Sequence, residues 1–496
     1  MNAAKTEAID AAKAMTLSTQ TAAAPRRWLA REIGATLALS GPIVLANVAV
    51  NLMTTTDVMM LGRLSPHALA AGALGQSVYT TLLLFCIGVV GALAPLAASL
   101  VGADRKDFAG LRAALHQTLA SAFLLAVPAW LVLWNAESIL LAIGEPPDLA
   151  ADAAHYLHAL QWALAPALLY FAARSAFAAL DRVGPTLVAG LVAVVFNAGA
   201  NYVLIFGKLG LPALGIVGSG LATTLSQTAM LLILVGWSFL DPHLRRYRLF
   251  AARPRFDGPA FAALWRLGLP MGATTAAEVA IFGAAGLAMG LISPVSLEAH
   301  AIALQIASVA FMVPLGLGQA ASVRVGHAFG AHDARAVSRA GWTAFAVTMA
   351  YVALSATTML VFPRLLIAPF LSRGAANLDE IVALALSFLQ IAALFQLFDG
   401  AQAALANMLR GVHDSRWPAV MAIAGYWAVG APIGVGLAFF TPLRGRGLWI
   451  GLACGLAATS LQLLARWRRA ERSGFLQSAV ATGAISARRS PAALAD

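Results

Sequence analysis

Long apolar segments recur along nearly the whole chain and constrain its fold more than any other feature. A helix needs about 20 mainly apolar residues to cross a bilayer. Twelve segments reach that length, at residues 33–60, 69–100, 113–135, 153–180, 185–207, 213–240, 264–291, 298–323, 338–363, 383–409, 417–440 and 447–466. Because backbone inside lipid must satisfy its own hydrogen bonds, such segments are helical. The sequence therefore predicts an all-α integral membrane protein with twelve transmembrane helices.

The composition agrees with a membrane protein and excludes several other classes. The 496 residues are 60% hydrophobic and only 11% charged, whereas soluble domains are about one quarter charged. The net charge of +11 is carried by loops between apolar segments, where membrane topology accounts for it. We therefore expect no nucleic-acid partner. Neither a phosphate-binding loop nor a hydrolase or metalloprotease motif occurs, so we expect no enzyme and no cofactor.

The distribution of Lys and Arg predicts the orientation of the chain. With both termini in the cytoplasm, 26 of the 33 basic residues lie on the cytoplasmic side and six on the other, and Arg174 falls inside the fourth segment. This asymmetry follows the positive-inside rule. We expect a multi-pass protein of the bacterial inner membrane with both termini cytoplasmic.

The chain also repeats itself. A shift of 228 residues places Ser65-Pro66 on Ser293-Pro294 and Gly102 on Gly330, without a gap through two segments. Each half holds six segments, so both halves share one orientation, with their symmetry axis along the membrane normal. The predicted parts are a disordered cytoplasmic tail (1–32), an N-lobe (33–240), a cytoplasmic linker (241–256), a C-lobe (257–468) and a cytoplasmic C-terminal tail (469–496).

Three polar residues of the N-lobe form one candidate site. Asp57 lies near the end of the first apolar segment, and Asn197 and Asn201 share a face of the fifth. A carboxylate within a membrane segment usually marks an ion or substrate pathway. Amide oxygens beside a carboxylate suit Na⁺ or a protonatable acid. A solvated, idle Asp57 and simple hydrogen bonding between helices would give the same pattern.

Two acids of the C-lobe form a second candidate site. Glu278 and Asp399 lie well inside their segments, without Lys or Arg within one helical turn in sequence. An unpaired charge there costs a few kcal/mol, so a bound cation or proton is expected, although a permanently protonated structural acid is the alternative. Phe395 and Gln396 precede Asp399 and could contact substrate, but Phe at such a position more often packs in the core.

These segments resemble the multidrug and toxic compound extrusion (MATE) family, in its NorM-like branch. The resemblance rests on TTTDVMMLGRLSPHALAA in the first segment, on FNAGANYVLIFGKLG with GIVGSGLAT in the fifth and sixth, and on FDGAQAALANMLRG in the tenth. The most specific match is EAHAIALQIASVAFMVPLGLGQAASVRVGHAFG in the eighth. The resemblance to the family covers roughly residues 33–465.

The resemblance implies an antiporter with two pseudo-symmetric six-helix lobes around a central cavity, exporting organic cations against inward Na⁺ or H⁺. It implies that Asp57, Asn197 and Asn201 match the N-lobe cation site, and that Glu278 and Asp399 match the acidic pair of the NorM-like branch. Two positions depart from some relatives, which have Tyr in place of Phe395 and Asp in place of Asn201.

The leading hypothesis is therefore a monomeric multidrug efflux transporter that exchanges cationic or aromatic drugs for Na⁺ or H⁺ across the bilayer. The alternative is a flippase of lipids or lipid-linked glycans with the same two-lobe build. A flippase must hold a phosphate, which requires a cationic side chain in the cavity. Only Arg174 is available within the apolar segments, and this argues against the alternative.

Overall fold

Twelve helices long and apolar enough to cross a membrane make up nearly all of the structure, a computed structural model. It describes the backbone of residues 2–251, 256–371 and 377–472, and side chains from Trp28 onward in those ranges. Spans 1 to 12 are Trp28–Leu64, Pro66–Ala103, Phe108–Trp134, Pro147–Ala179, Gly184–Phe206, Gly215–Leu240, Gly258–Ile292, Pro294–Gly330, Ala334–Val361, Leu378–Gly411, Arg416–Phe439 and Gly445–Arg472. The predicted fold class and number of spans are confirmed.

Three spans depart from regular α-helix. Span 2 breaks between Pro66–Val90 and Leu93–Ala103, and span 4 contains a 3₁₀ turn at Gln161–Ala163. Span 11 contains a π-helical stretch at Ala424–Gly430. Short helices at Ala136–Ile143, Pro242–Arg245 and Pro363–Ile367, with a 3₁₀ turn at Ala368–Phe370, lie in the connections.

The ends of the chain differ from the sequence interpretation. The helix that contains span 1 starts at Asn2, so the structure places residues 2–32 in a helix and not in a disordered tail. The segment is rich in Ala, the strongest helix former, which accounts for the helix. The last helix ends at Arg472, and the rest of the predicted C-terminal tail lies outside the described residues.

The internal repeat has the same local chemistry in both halves. Ser65 caps span 2 by accepting a hydrogen bond from the Ala68 amide at 3.0 Å, and Ser293 caps span 8 by accepting one from Ser296 at 3.0 Å. Proline follows each cap at the first helical position, where its missing N–H costs nothing. Each cap is worth about 1 kcal/mol. The two equivalent spans therefore begin in the same way.

The two lobes meet along spans 1 and 2 of the N-lobe and spans 7 and 8 of the C-lobe, a contact that we call the seam. A Cβ atom at Gly102 would overlap the carbonyl oxygen of His327, and one at Gly330 would overlap that of Ser99. The 228-residue shift carries Gly102 to Gly330 and Ser99 to His327. These two contacts are therefore the same contact seen from either lobe.

A second reciprocal pair lies deeper in the seam. A Cβ atom at Gly88 would stand 2.6 Å from Cα of Gly272, and one at Gly316 would overlap the side chain of Val44. The same shift carries Gly88 to Gly316 and Val44 to Gly272. Reciprocal contacts are what a two-fold axis between the lobes requires.

Polar contacts close the seam where span 1 starts and spans 2, 4, 8 and 10 end. We call this side the basic face, because most Lys and Arg lie in its loops. Arg324 pairs with the Glu32 carboxylate and donates to its carbonyl oxygen at 3.0 Å. His327 donates from Nε2 to the Ala179 carbonyl at 2.7 Å. Each contact joins the two lobes, so the structure is closed at the basic face.

His413, in the loop after span 10, adds a further link across the seam. Its Nε2 lies 3.1 Å from the Ser99 hydroxyl and 3.3 Å from the Pro95 carbonyl oxygen, and its ring packs edge-on against Phe329. Burial lowers the pKa of His413 to about 4, although the hydrogen bond to Pro95 opposes the shift. The imidazole is therefore neutral at physiological pH.

Candidate cation sites in the two lobes

The three residues predicted for the N-lobe site meet around the Asp57 carboxylate. Its Oδ1 accepts hydrogen bonds from Nδ2 of Asn197 at 3.1 Å and of Asn201 at 2.7 Å. Its Oδ2 accepts one from the Thr223 hydroxyl at 2.7 Å. Asp57 is only 5% exposed. Spans 1, 5 and 6 thus converge on one buried carboxylate, which is not solvated.

The same site has unused acceptors. Within the described part of the chain, the Oδ1 atoms of Asn197 and Asn201 are buried without a hydrogen-bond partner. Buried polar atoms normally find one, so each unpaired oxygen needs an explanation such as a bound ion or water. One carboxylate with amide and hydroxyl oxygens is a ligand set suited to Na⁺. It equally suits a carboxylate that takes up a proton.

Sequence reasoning missed Thr223, although a signal was present. Thr223 is the last residue of the GIVGSGLAT segment quoted above, and it lies one helical turn after Ser219 on span 6. The fifth and sixth spans are adjacent in sequence and pack together, so a hydroxyl on span 6 can reach the asparagine face of span 5. Its pairing with Asp57 becomes visible only when the helices are placed.

We expect Thr223→Val to weaken coupled transport without abolishing it. The substitution keeps the shape of the side chain and removes one donor to a buried carboxylate, a hydrogen bond worth about 1.5–3 kcal/mol. The measurement is the counter-ion concentration giving half-maximal exchange, which should change roughly tenfold or more. Thr224→Val is the matched control, because Thr224 donates to the Ala159 carbonyl and does not touch Asp57. Equal behaviour of the two variants would contradict the role given to Thr223.

A small cavity opens beside Asp57, between spans 1, 2 and 4. Gly72, Gln76 and Tyr156 line it together with Asp57. The Tyr156 hydroxyl donates to Oε1 of Gln76 at 2.9 Å. The cavity is small and mostly apolar, and Asp57, Gln76 and Tyr156 supply the polar groups at its wall.

The two predicted acids of the C-lobe act on one another. Asp399 is 5% exposed, on span 10, and Glu278 is half-buried, on span 7. Their charges interact with each other and with the Tyr426 hydroxyl of span 11. Two acids close enough for their charges to repel cannot both be ionised cheaply, so a shared cation or proton lowers their free energy.

Unpaired polar atoms line the side of span 10 that carries Asp399. Gln396, Asp399 and Gln402 follow one another at three-residue spacing, on one side of the helix. Among the described residues, both amide atoms of Gln396, Oδ1 of Asp399 and Oε1 of Gln402 are buried without a partner. Gln402 also donates to the Tyr426 hydroxyl. This interior of the C-lobe therefore suits bound water or a cation.

Phe395 is a core residue. It is 2% exposed and packs edge-on against Phe282 and Trp449, at centroid distances of 6.0 and 5.6 Å. It also borders an apolar cavity with Ile281 and Leu456. The packing interpretation of the sequence describes its main contacts.

One interpretation of the sequence was incomplete. The sequence places only Arg174 as a cation within the apolar segments. Arg410, in the last turn of span 10, nevertheless lies close enough to Glu278 for their opposite charges to attract. Arg410 lies far from Glu278 in sequence, and only the folded arrangement of the C-lobe brings them near each other. The C-lobe acids therefore have a basic neighbour that sequence spacing could not reveal.

Comparisons with known proteins agree with this architecture. The MatE family model matches residues 42–203 and 270–435, one match in each half of the chain. A probable multidrug resistance protein NorM of Mesorhizobium japonicum is 50% identical over 451 residues, covering 91% of this chain and 97% of that protein. A probable multidrug resistance protein NorM of Pseudomonas aeruginosa is 38% identical over 471 residues, covering 93% and 96%.

Solved structures show the same fold. The crystal structure of the eukaryotic MATE transporter AtDTX14 superposes with a TM-score of 0.80 at 23% identity, covering 91% of this chain and 99% of that one. A multidrug resistance MATE family transporter in an outward-facing conformation superposes with a TM-score of 0.79 at 17% identity, covering 90% and 97%.

Twelve spans in two reciprocal lobes, with buried acids inside each lobe, define a multi-pass membrane protein of the transporter class. The matches to both halves and to nearly the full length of the curated relatives identify the family. The chain belongs to the MATE family.

Proposed function

We propose that this protein exports cationic and aromatic drugs across the bacterial inner membrane in exchange for Na⁺ or H⁺. The observation that carries the proposal is the Asp57 site, where three donors from two other spans hold a buried carboxylate beside two unpaired amide oxygens. Such a site binds a small cation and changes its charge state when it does so. The multidrug resistance proteins among the relatives support the substrate class.

Exchange follows if drug and ion favour different arrangements of the lobes. A cation or proton at Asp57 removes the cost of enclosing an ionised carboxylate, so it favours the state in which the lobe is packed tightly around it. A cationic drug held by the acids of the cavity has its own preference for one state. Coupling then arises from the difference in affinity of each ligand for the two states.

The flippase alternative finds no support at Arg174. A flippase needs a cation that faces its substrate, whereas the Arg174 guanidinium is buried and bonded to the side chains of Asn47 and Gln319. The charge of Arg410 acts on Glu278. These contacts favour a carrier of cations over a carrier of phosphates.

The test is ethidium transport by purified protein in proteoliposomes with separately imposed Na⁺ and pH gradients. We expect one gradient, or both, to drive ethidium against its own gradient. Absence of driven transport under either gradient, in protein that still binds ethidium, would contradict the proposal. Flipping of a fluorescent lipid at the same rate under the Na⁺ gradient and under the pH gradient would favour the flippase.

The orientation of the protein is tested separately. We expect both termini in the cytoplasm, because basic residues concentrate at one face of the helices. A reporter that is active only in the cytoplasm, fused after Asp496, should be fully active. A periplasmic reporter at the same position should be silent, and a cysteine in place of the exposed Asp148 should react with an impermeant reagent from outside. The opposite pattern would refute the orientation.

A further inference from the structure

Arg174 of span 4 occupies an unusual position in the seam. The guanidinium donates from Nη2 to Oδ1 of Asn47 at 2.7 Å and to Oε1 of Gln319 at 2.6 Å. Asn47 belongs to span 1 and Gln319 to span 8 of the other lobe. The guanidinium also lies 5.1 Å from the centre of the Phe171 ring. Arg174 therefore joins the lobes through neutral partners only.

The charge of Arg174 has no counter-charge. Within the described residues, no carboxylate lies at ion-pair distance from it, and the side chain is 6% exposed. A buried and uncompensated charge destabilises a protein, and such residues within membrane spans usually serve a function. A neutral side chain could make both hydrogen bonds, one within the N-lobe to Asn47 and one to Gln319 of the other lobe, so the charge itself needs a reason.

The place of the charge supplies that reason. Asn47 precedes Asp57 by ten residues on span 1, which is about 15 Å along the helix toward the basic face. The Arg324–Glu32 pair lies further on in the same direction. Arg174 thus stands in the seam between the Asp57 site and the basic face. A small cation that crossed toward the basic face between the lobes would therefore pass the guanidinium at a level between the Asp57 site and that face.

We propose that Arg174 is an electrostatic barrier that prevents small cations from leaking through the closed seam. A fixed positive charge in a narrow, low-dielectric passage raises the energy of any cation entering it, as in channels that exclude protons with an arginine. The barrier matters most for a carrier whose driving ion and cargo are both cations, so the inference rests on the proposed function. It assigns to Arg174 the exclusion of ions and no part in binding the drug.

Passive ion flux in the absence of drug tests this inference. Proteoliposomes containing a Na⁺ or pH gradient are monitored with an ion-sensitive dye. Arg174→Gln should increase the flux of the coupling ion of the order of tenfold or more, the effect expected of one charge acting over several ångströms at an effective dielectric near 20. Arg174→Lys, which keeps the charge, should remain nearly as tight as the unmodified protein.

Two further variants separate the charge from the hydrogen bonds. Asn47→Asp keeps the size of the side chain and the acceptor but places a carboxylate against the guanidinium, which cancels the charge. Gln319→Ala removes one bond and keeps the charge. We expect Asn47→Asp to leak like Arg174→Gln, and Gln319→Ala to leak much less.

If Arg174→Gln fails to fold, Asn47→Asp still tests the inference, because Asp has nearly the same size as Asn and cancels the charge of Arg174. Tight vesicles with Asn47→Asp, or equal leak with Gln319→Ala, would overturn the inference. Driven ethidium transport by the unmodified protein, measured in the same vesicles, keeps this result separate from the proposed function.

Discussion

Replacing Asp57 by Asn should uncouple drug transport from the counter-ion while leaving drug binding in place. The Asn side chain is always neutral, so the N-lobe site keeps the same charge whatever the Na⁺ concentration or the pH. Coupling free energies between sites are typically about 1–3 kcal/mol, so we expect driven transport to fall on the order of 5- to 150-fold. The measurement is ethidium affinity and ethidium uptake as functions of Na⁺ concentration and pH.

The control for Asp57→Asn is Asp148→Asn, which removes an exposed carboxylate at the start of span 4 in the same lobe. It should behave as the unmodified protein does. If ethidium affinity responds to Na⁺ and pH identically in Asp57→Asn and in the unmodified protein, Asp57 is not a coupling residue.

Asp399→Asn and Glu278→Gln should each abolish or cripple efflux at normal levels of protein in the membrane. Each substitution removes one of two interacting acids, and with it the negative charge that attracts a cation into the C-lobe. We expect resistance of cells to ethidium to fall to within roughly twofold of cells without the protein, since loss of a coupling term of 1–3 kcal/mol removes most net transport.

Asp379→Asn is the matched control for Asp399→Asn, because Asp379 lies in the first turn of the same helix and is exposed. Expression is compared by immunoblot of isolated membranes. Full resistance in either acid variant at equal expression would remove that residue from the coupling machinery.

The fold was predictable because each helix that crosses the lipid needs about 20 mainly apolar residues, and such segments are visible in the sequence. Apolar length alone located every span, yet it placed span 8 at 298–323, whereas the helix runs from Pro294 to Gly330. Hydropathy marks the part of a helix inside the bilayer, while the Ser293 cap sets where the helix begins. The Ser293-Pro294 pair in the sequence marks this start of the helix.

The sites were only partly predictable, since hydrophobicity does not encode which faces of the helices meet. Asn197 and Asn201 were recognised because four-residue spacing puts them on one face. Thr223, on another span, was not. Arg410 escaped notice for a similar reason, because its effect on Glu278 depends on the packing of two spans. Contacts of this kind are properties of the assembled lobe.

The reciprocal glycine contacts of the seam bear on how a chain of this kind originates. If two copies of one six-span unit faced each other as a homodimer, the contact of Gly102 with position 327 and that of Gly330 with position 99 would be one self-complementary contact, as any two-fold dimer requires. Once the two copies are joined in one polypeptide, each half can acquire substitutions independently of the other. The seam kept Gly88 and Gly102 together with their equivalents Gly316 and Gly330, whereas the position equivalent to Asp57 is Ala285. Symmetry has persisted where two backbones must fit together and has been lost at the candidate cation sites, so the two halves share one reciprocal contact surface and differ in their buried polar residues.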